Sequence, residues 1–566
     1  MNAQACAPSH TEVDWYSIDW AKCQRQVKRL QARILKAQQA KKTGKVKALQ
    51  WLLTHSFSAK ALAVKRVTEN KGKTTAGVDG ETWATPEAKA QAIHSLKRHG
   101  YKAKPLKRIY IPKTNGKRPL SIPCMLDRAM QSLYLLALQP LAEAQADKNS
   151  YGFRPERSPA DAVEQCFLSL SRKTSAQWIL EGDIRACFDR ASHIWIAANI
   201  PTDKVLLKKW LKAGFMEAKT LYPTDTGLAQ GSPISPTIMN MVLDGLEPLL
   251  MSKFKYRELD GKKLNQKLNV IRFADDFCVT GYSKAFLENE VKPLIETFLA
   301  PRGLELSQEK TRITHINEGF DFLGQHFRKY KGKLLIQPSK KNLWSFLDKV
   351  RQCIKHHRSS SQLSLIKQLN PIISGWANYH RHIAAKKTFS KVDNFIWNWL
   401  WRWAKRRHPM KSPYWVYAKY YKPQAHRTWV FACDDDQLLA NGKPKRVVLR
   451  RATDTPIRRH LKIKAEANPF DPAWNVYFEK RLAYKMKSSL WGRKKLLSLW
   501  TKQTGHCPHC RQLISQETSW HVHHLLPKSQ GGDDRASNLT MMHPSCHRQL
   551  HSQNLKLVEL ASARRL

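Results

Sequence analysis

The chain has 566 residues, 42% of them hydrophobic, which is too long for one core and fits roughly three or four domains. Its 97 lysines and arginines against 45 aspartates and glutamates give a formal net charge of +52, a field that destabilises a compact monomer unless a polyanion, a nucleic acid above all, is the working partner. There is no run of eighteen apolar residues and no apolar signal core within Met1–Trp20; the eleven cysteines, mostly isolated as at Cys124, Cys166, Cys187, Cys278 and Cys353, exclude a disulfide framework and fit a reducing cytoplasm.

From Cys23 to about His55, Leu30, Ile34, Leu49, Leu52 and Leu53 recur at helical spacings in a Lys/Arg/Gln/Ala-rich background, which predicts basic helices suited to RNA contact. From Gly80 to about Phe327, strand-like runs such as Arg108–Ile111 alternate with helical ones such as Ala129–Ala137, the mixture of an α+β unit. Asn115-Gly116 reads as a turn between two strands, flanked by Lys113 and Arg118, whose cationic donors suit phosphate oxygens; a solvated hairpin is the plain alternative. An apolar run from Trp178 ends on Asp183, and Asp189 beyond it fits a helix N-cap better than a metal ligand. Gln230-Gly-Ser-Pro-Ile-Ser-Pro236 opens a helix, with Pro233 and Pro236 in its first turn and Gly231 allowing close backbone approach. In Asn269–Thr280 two short β-branched or aromatic runs enclose Asp275 and Asp276, so the segment reads as a hairpin with the acidic pair at its tip.

Pro301-Arg-Gly303 and Lys331-Gly-Lys333 mark turns, after which the pattern from Leu343 to Arg407 is helical: Leu343, Phe346, Leu347, Val350 and Cys353 share one face, Phe395, Ile396, Leu400 and Trp403 another. No acid occurs from Leu400 to Cys433. Arg402, Lys405, Arg406, Arg407, Lys411, Lys419, Lys422 and Arg427 interleave there with eight tryptophans and tyrosines, a platform of cations for phosphates and rings for bases, although each ring taken singly fits a core position better. Near the end, Cys507-Pro-His-Cys510 has the spacing of a zinc knuckle and His543-Pro-Ser-Cys546 offers a second pair, so Cys507, Cys510, His543 and Cys546 are candidate ligands of a structural Zn2+. His547 and His551 stand four apart on one helical face, and His523 from a strand could complete a second, catalytic metal site.

Two carboxylates about 4 Å apart repel by roughly 4 kcal/mol at an effective dielectric near 20. A bound multivalent cation removes that cost, whereas a solvated turn is the alternative for Asp275-Asp276 alone. Asp183 supplies the missing third carboxylate. Three carboxylates holding two Mg2+ ions at a substrate triphosphate can activate an attacking hydroxyl and neutralise a leaving pyrophosphate, which is nucleotidyl transfer.

Phe273-Ala-Asp-Asp276 resembles the signature of reverse transcriptases, and further segments resemble, in order, the blocks of group II intron-encoded reverse transcriptase/maturases: Ala76-Gly-Val-Asp-Gly80, Ile111–Pro123, Ser150-Tyr-Gly-Phe-Arg154, Gln230–Pro236, Gly303–Ser307 with Lys310-Thr311, and Phe320–Gly324. The resemblance runs from about Trp15 to the C-terminus. It implies a multidomain α+β protein with a right-hand polymerase palm and fingers, a helical thumb or maturase X domain, a basic DNA-binding region and a small zinc-stapled ββα HNH nuclease domain. The expected bounds are 1–90 for a basic helical extension, 91–330 for fingers and palm, 331–410 for thumb, 411–500 for the DNA-binding region and 501–566 for the nuclease. It further implies that the Ile184 carbonyl adds a Mg2+ oxygen, that Phe188 stands where a ring would clash with a ribose 2′-hydroxyl, and that Lys113, Arg118, Gln230 and Lys310 contact substrate. Phe273 and Ser232 depart from the commoner Tyr and Gly. Asn370–His380 resembles the maturase signature, in which helix packing is the better role for Trp376.

His521–His524, Gly531-Gly532, Asn538-Leu539 and Cys546–His551 resemble the H-N-H nuclease pattern, with His524 as the general base, Asn538 holding the loop that carries it, and a divalent metal on His523, His547 and His551. A purely structural zinc ribbon would not need so many histidines. Related domains often have an acid where this chain has His521. The implied function is a multifunctional intron protein: a reverse transcriptase using deoxynucleoside triphosphates, a maturase for group II intron RNA and an endonuclease for target DNA, without a membrane partner. The rivals are a splicing-only RNA-binding maturase and a homing-type HNH endonuclease; the intact aspartates weigh against the first and the ordered polymerase blocks against the second.

Overall fold

The computed structural model describes residues 14–113, 116–254, 256–259, 262–424, 426–438, 444–490, 493–553 and 557. Three helices, Trp20–Gln39, Thr43–His55 and Phe57–Glu69, open the chain. Asp19 caps the first by accepting from Lys22 N at 2.8 Å, and Ser56 both ends the second and caps the third. All three pack on Met125–Gln145, a helix that is buried around its circumference and therefore central to the first core.

That core continues into a four-stranded antiparallel sheet in the order Arg312–His315, Trp178–Asp183, Asp276–Gly281, Asn269–Phe273. Ile179, Leu180, Phe277, Cys278 and Val279 are all buried, so the two middle strands are apolar on both faces and read as continuous hydrophobic runs. A second sheet orders Gly116–Ile122, Leu106–Lys113, Phe215–Glu217 and Thr220–Tyr222.

A second core joins the strands Phe320–Phe322, Gln325–Tyr330 and Lys333–Pro338 to the helices Lys340–His356, Gln362–Tyr379 and Lys386–Arg407, and runs on through the strands Tyr421–Gln424, Arg427–Leu438 and Pro444–Val448 as far as Phe478. Trp376 packs within it: its ring stacks on Phe346 at 4.4 Å and its Nε1 donates to Asn342 Oδ1 at 2.8 Å. In the basic aromatic stretch Trp403, Tyr420 and Tyr421 are core, whereas Tyr414 and Trp429 are exposed. Asp161, in the helix Pro159–Leu170, is wholly buried; it accepts from Arg481 Nη2 and Ile463 N at 2.7 Å each and meets His460 Nε2 at 2.9 Å, tying residues 460–481 to the helix.

A third core, from Met486 to Leu550, holds a small module of two antiparallel strands, His521–His524 and Leu539–Met542, and the helix Pro544–Ser552. Among the described residues no helix is long and apolar enough to cross a membrane.

Candidate active sites

The acidic hairpin forms as its spacing predicts. Phe273 pairs with Asp276 across a two-residue turn of Ala274 and Asp275, with Ala274 at φ 58°. The neighbouring strand places Asp183 directly opposite Asp276, so the register alone gathers all three carboxylates at one end of the sheet. Ile184 follows, buried, bridged to Leu306. Lys310 Nζ donates to Asp183 Oδ2 at 2.9 Å and brings an ammonium to the edge of the acidic group. The surrounding protein, followed by the Asp275 and Asp183 charges, pushes the Asp276 carboxyl up to about 6, although its edge stays open to solvent. Such a donor set, all oxygen and short of countercharge, fits hard divalent cations.

The turn is braced from behind. Arg272, 2% exposed, pairs with Asp244, and its Nη1 donates to Asn240 Oδ1 at 3.2 Å and to the Ala274 carbonyl at 3.4 Å. Burial pushes the Asp244 carboxyl up to about 7 against the pull of Arg272. Backbone bonds from Tyr151 N to Arg272 O and from Arg272 N to Asn149 O, each 2.9 Å, lay the segment 149–152 along the hairpin. No sequence signal marked Arg272 or Asp244, because their pairing spans 28 residues with no local pattern.

A cavity of about 380 Å³ is lined by Phe188, Asp189, Gln230, Arg108 and Ser121, a size typical of a small-ligand site. Arg118 Nε donates to Gln230 Oε1 at 2.9 Å and Gln230 Nε2 to Asp189 Oδ1 at 3.4 Å, so the lining residues Gln230 and Asp189 form one polar chain with Arg118. Ser232 donates to Gln131 Oε1 at 2.5 Å. Lys113 ends its strand, and its side chain, like Thr114 and Asn115, lies outside the described residues. Two expectations are corrected. Asp189 is not an N-cap: the helix Cys187–Arg190 starts after Ala186 and holds Asp189 within its turn, freeing the carboxylate to meet Gln230. The helix after Gln230 begins only at Ser235, so Pro236 lies in its first turn while Pro233 belongs to the preceding loop.

Among the described residues, two groups bring all their ligand atoms within 4.8 Å of one another: Cys507, Cys510, His543 and Cys546, and His523, His547 and His551. The aspartates are not drawn together so tightly. The first group is largely buried, sulfur-rich and four in number, the donor set of a closed tetrahedral Zn2+ site. In the second, His547 and His551 lie one turn apart with their Nε2 atoms at 3.3 Å, and the His523 ring stands 5.1 Å from each. Burial, then the neighbouring histidines, hold His547 down to about 4, so its imidazole is neutral and offers a nitrogen lone pair.

His524 points elsewhere, its Nε2 2.8 Å from Asp534 Oδ1. Asn538 accepts from Leu526 N at 2.7 Å through Oδ1 and donates from Nδ2 to the Leu526 and Asp533 carbonyls at 3.0 and 2.8 Å, pinning the loop between His524 and Asp534. Asp534 was missed by sequence reasoning, which looked for an acid at 521; the available signal was Asp533-Asp534 just before Asn538. His521 instead sets its ring 5.3 Å from His547.

Comparisons with known proteins bear on the same segments. Residues 15–96 match the model of the N-terminal domain of reverse transcriptase, 111–327 that of reverse transcriptase (RNA-dependent DNA polymerase), 343–421 the group II intron maturase-specific domain and 507–553 the HNH endonuclease. Protein YkfC of Escherichia coli is 31% identical over 47% of this chain and 78% of its own length. Group II intron-encoded protein LtrA of Lactococcus lactis is 28% identical over 58% of this chain, and the chain spans 65%, just under two thirds, of LtrA. A chain from a Candida albicans telomerase structure aligns over 56% of this chain and 66% of that one, at 13% identity and a TM-score of 0.31.

Proposed function

The chain belongs to the family of group II intron-encoded reverse transcriptase/maturases with a C-terminal HNH endonuclease domain, and we propose that it binds its intron RNA, assists its splicing, nicks target DNA and copies RNA into DNA from the nicked end. The observation that carries the copying activity is the register that sets Asp183 opposite Asp276 with Asp275 in the adjoining turn. Asp183, Asp275, Asp276 and the Ile184 carbonyl would hold Mg2+. When bound, the ions would activate the primer hydroxyl and neutralise departing pyrophosphate. The Phe188 ring would clash with a ribose 2′-hydroxyl, Gln230 would position the nucleotide, and Lys113, Arg118 and Lys310 would supply cationic donors to its phosphates.

In the nuclease, Cys507, Cys510, His543 and Cys546 would hold a structural Zn2+ and His523, His547 and His551 a divalent metal. His524 takes the proton of the attacking water, with Asp534 fixing its ring and Asn538 fixing the loop. The expected division of labour is a basic extension over 1–90, fingers and palm over 91–330, thumb over 331–410, a DNA-binding region over 411–500 and the nuclease over 501–566, working in the bacterial cytoplasm on nucleoid DNA.

The test is primer extension by the purified chain on a generic RNA template with deoxynucleotides and Mg2+. Asp275→Ala should abolish extension and spare RNA binding, and His524→Ala should stop nicking and spare extension. Undiminished cDNA synthesis by Asp275→Ala would refute the polymerase assignment.

A further inference from the structure

The helix Pro544–Ser552 has two working faces. His547 and His551 look toward His523, while on another side Gln549 Nε2 donates to the Tyr16 and Ile18 carbonyls at 3.0 and 2.8 Å, Ser545 accepts from Lys65 Nζ at 3.0 Å, and Arg548 pairs with Glu69. The nuclease module is therefore docked on the N-terminal helices, and a cleft of about 1940 Å³ lies between them. Ten lysines and arginines line it against five acids, of which Glu69 is paired with Arg548 and Glu156 with Lys485.

One wall is the stripe Arg29, Arg33 and Lys36, at i, i+4 and i+7 of the first helix, all exposed; the other includes Arg511, exposed beside the zinc knuckle. Like charges at i,i+4 repel by a few tenths of a kcal/mol, so the stripe weakens its own helix unless an anion sits against it. The volume exceeds the usual few hundred to 1,000 Å³ of a small-molecule site, which points to a polymer. A helix is about 10 Å across, the length of roughly three nucleotide steps, so a strand engaged at the histidine face can continue around Pro544–Ser552 into the cleft.

We propose that this cleft is a DNA-binding site shared by the first helix and the nuclease module, holding the phosphate backbone of one target strand beside its point of cleavage. The choice of DNA rests on the nuclease reading above, since the nuclease module forms one wall. The test uses the full chain carrying Arg29→Gln, Arg33→Gln and Lys36→Gln together, with Arg511→Gln as a second variant on the opposite wall; all four side chains are exposed, so the fold should be kept.

Affinity for a labelled target duplex is read by anisotropy across a salt series, next to affinity for intron RNA and to primer extension. The triple variant should bind DNA at least about tenfold more weakly at 50 mM salt and lower the slope of log K against log salt by up to about 3, near one unit per lost phosphate contact. Arg511→Gln should lower it by about 1, with RNA affinity and extension unchanged. Unaltered DNA affinity and slope in both variants would overturn the proposal, as would a loss confined to RNA. If the wild type binds DNA through the cleft but never nicks it, the nuclease reading fails while the binding site stands.

Discussion

Gly152→Ala is expected to slow polymerisation without touching any carboxylate. A Cβ at Gly152 would lie 2.3 Å from Ala274 N and 2.8 Å from Phe273 C, both backbone atoms of the acidic turn. Ordinary carbon contacts are about 3.5 Å or more, so one side must yield by about 1 Å. Gly152 cannot retreat cheaply: its carbonyl accepts from Asn240 Nδ2 at 2.7 Å, and the residues before it bond both ways to Arg272. The turn carrying Asp275 is left to move, and a misplacement of about 1 Å can cost on the order of 100-fold in rate. Overpacking adds roughly 1–3 kcal/mol of destabilisation. The assay is steady-state primer extension on an RNA template, expected to show a kcat drop of about 100-fold with DNA nicking retained, since the nuclease has its own core. Gly375→Ala is the control: nothing lies within 4 Å of its Cβ, and it should be neutral or stabilising by about 0.5–1 kcal/mol. Wild-type extension by Gly152→Ala would refute the claim that the segment 149–152 braces the turn.

Asp534→Asn should cut nicking about 10- to 100-fold, as loss of an orienting partner commonly does, with extension on the same preparation unchanged. His524, then Lys528, hold the Asp534 carboxyl down to about 2, so it stays ionised in mild acid. Burial, then neighbouring histidines, hold His380 and His382 down to about 3 and about 4. The folded state thus binds fewer protons than the unfolded one, and stability present above about 6.5 should fall with pH toward those values, on the order of 1 kcal/mol per unit per histidine. Thermal unfolding followed from pH 7 to pH 4.5 should show a falling Tm, shallower in His380→Asn/His382→Asn; an unchanged slope in that variant would count against it. A zinc chelator should loosen the third core, exposing residues 500–552 to protease and ending nicking while extension persists.

What the sequence carries legibly is whatever is written within one element or one turn. The hairpin at 269–281 follows from two short runs of strand-forming residues around two aspartates, the Cys507, Cys510, His543 and Cys546 cluster from two pairs of equal spacing, and the two helical histidines from a separation of four. Asp183 could be proposed from where its apolar run stops, but only the pairing of two strands far apart in the chain sets it opposite Asp276. Roles made wholly by tertiary contact leave no such trace: a buried Asp161 or Asp244 reads like any solvated aspartate, and only the folded loop sets Asp534 against His524. The helix Pro544–Ser552 makes the point most sharply. Its histidine spacing announces one face, yet the residues that dock it, Ser545, Arg548 and Gln549, are ordinary polar side chains whose partners lie about 500 residues earlier. Periodicity can say that such a helix has a wet side, but which surface wets it is decided by the rest of the chain, and in this protein that surface is another part of the same molecule.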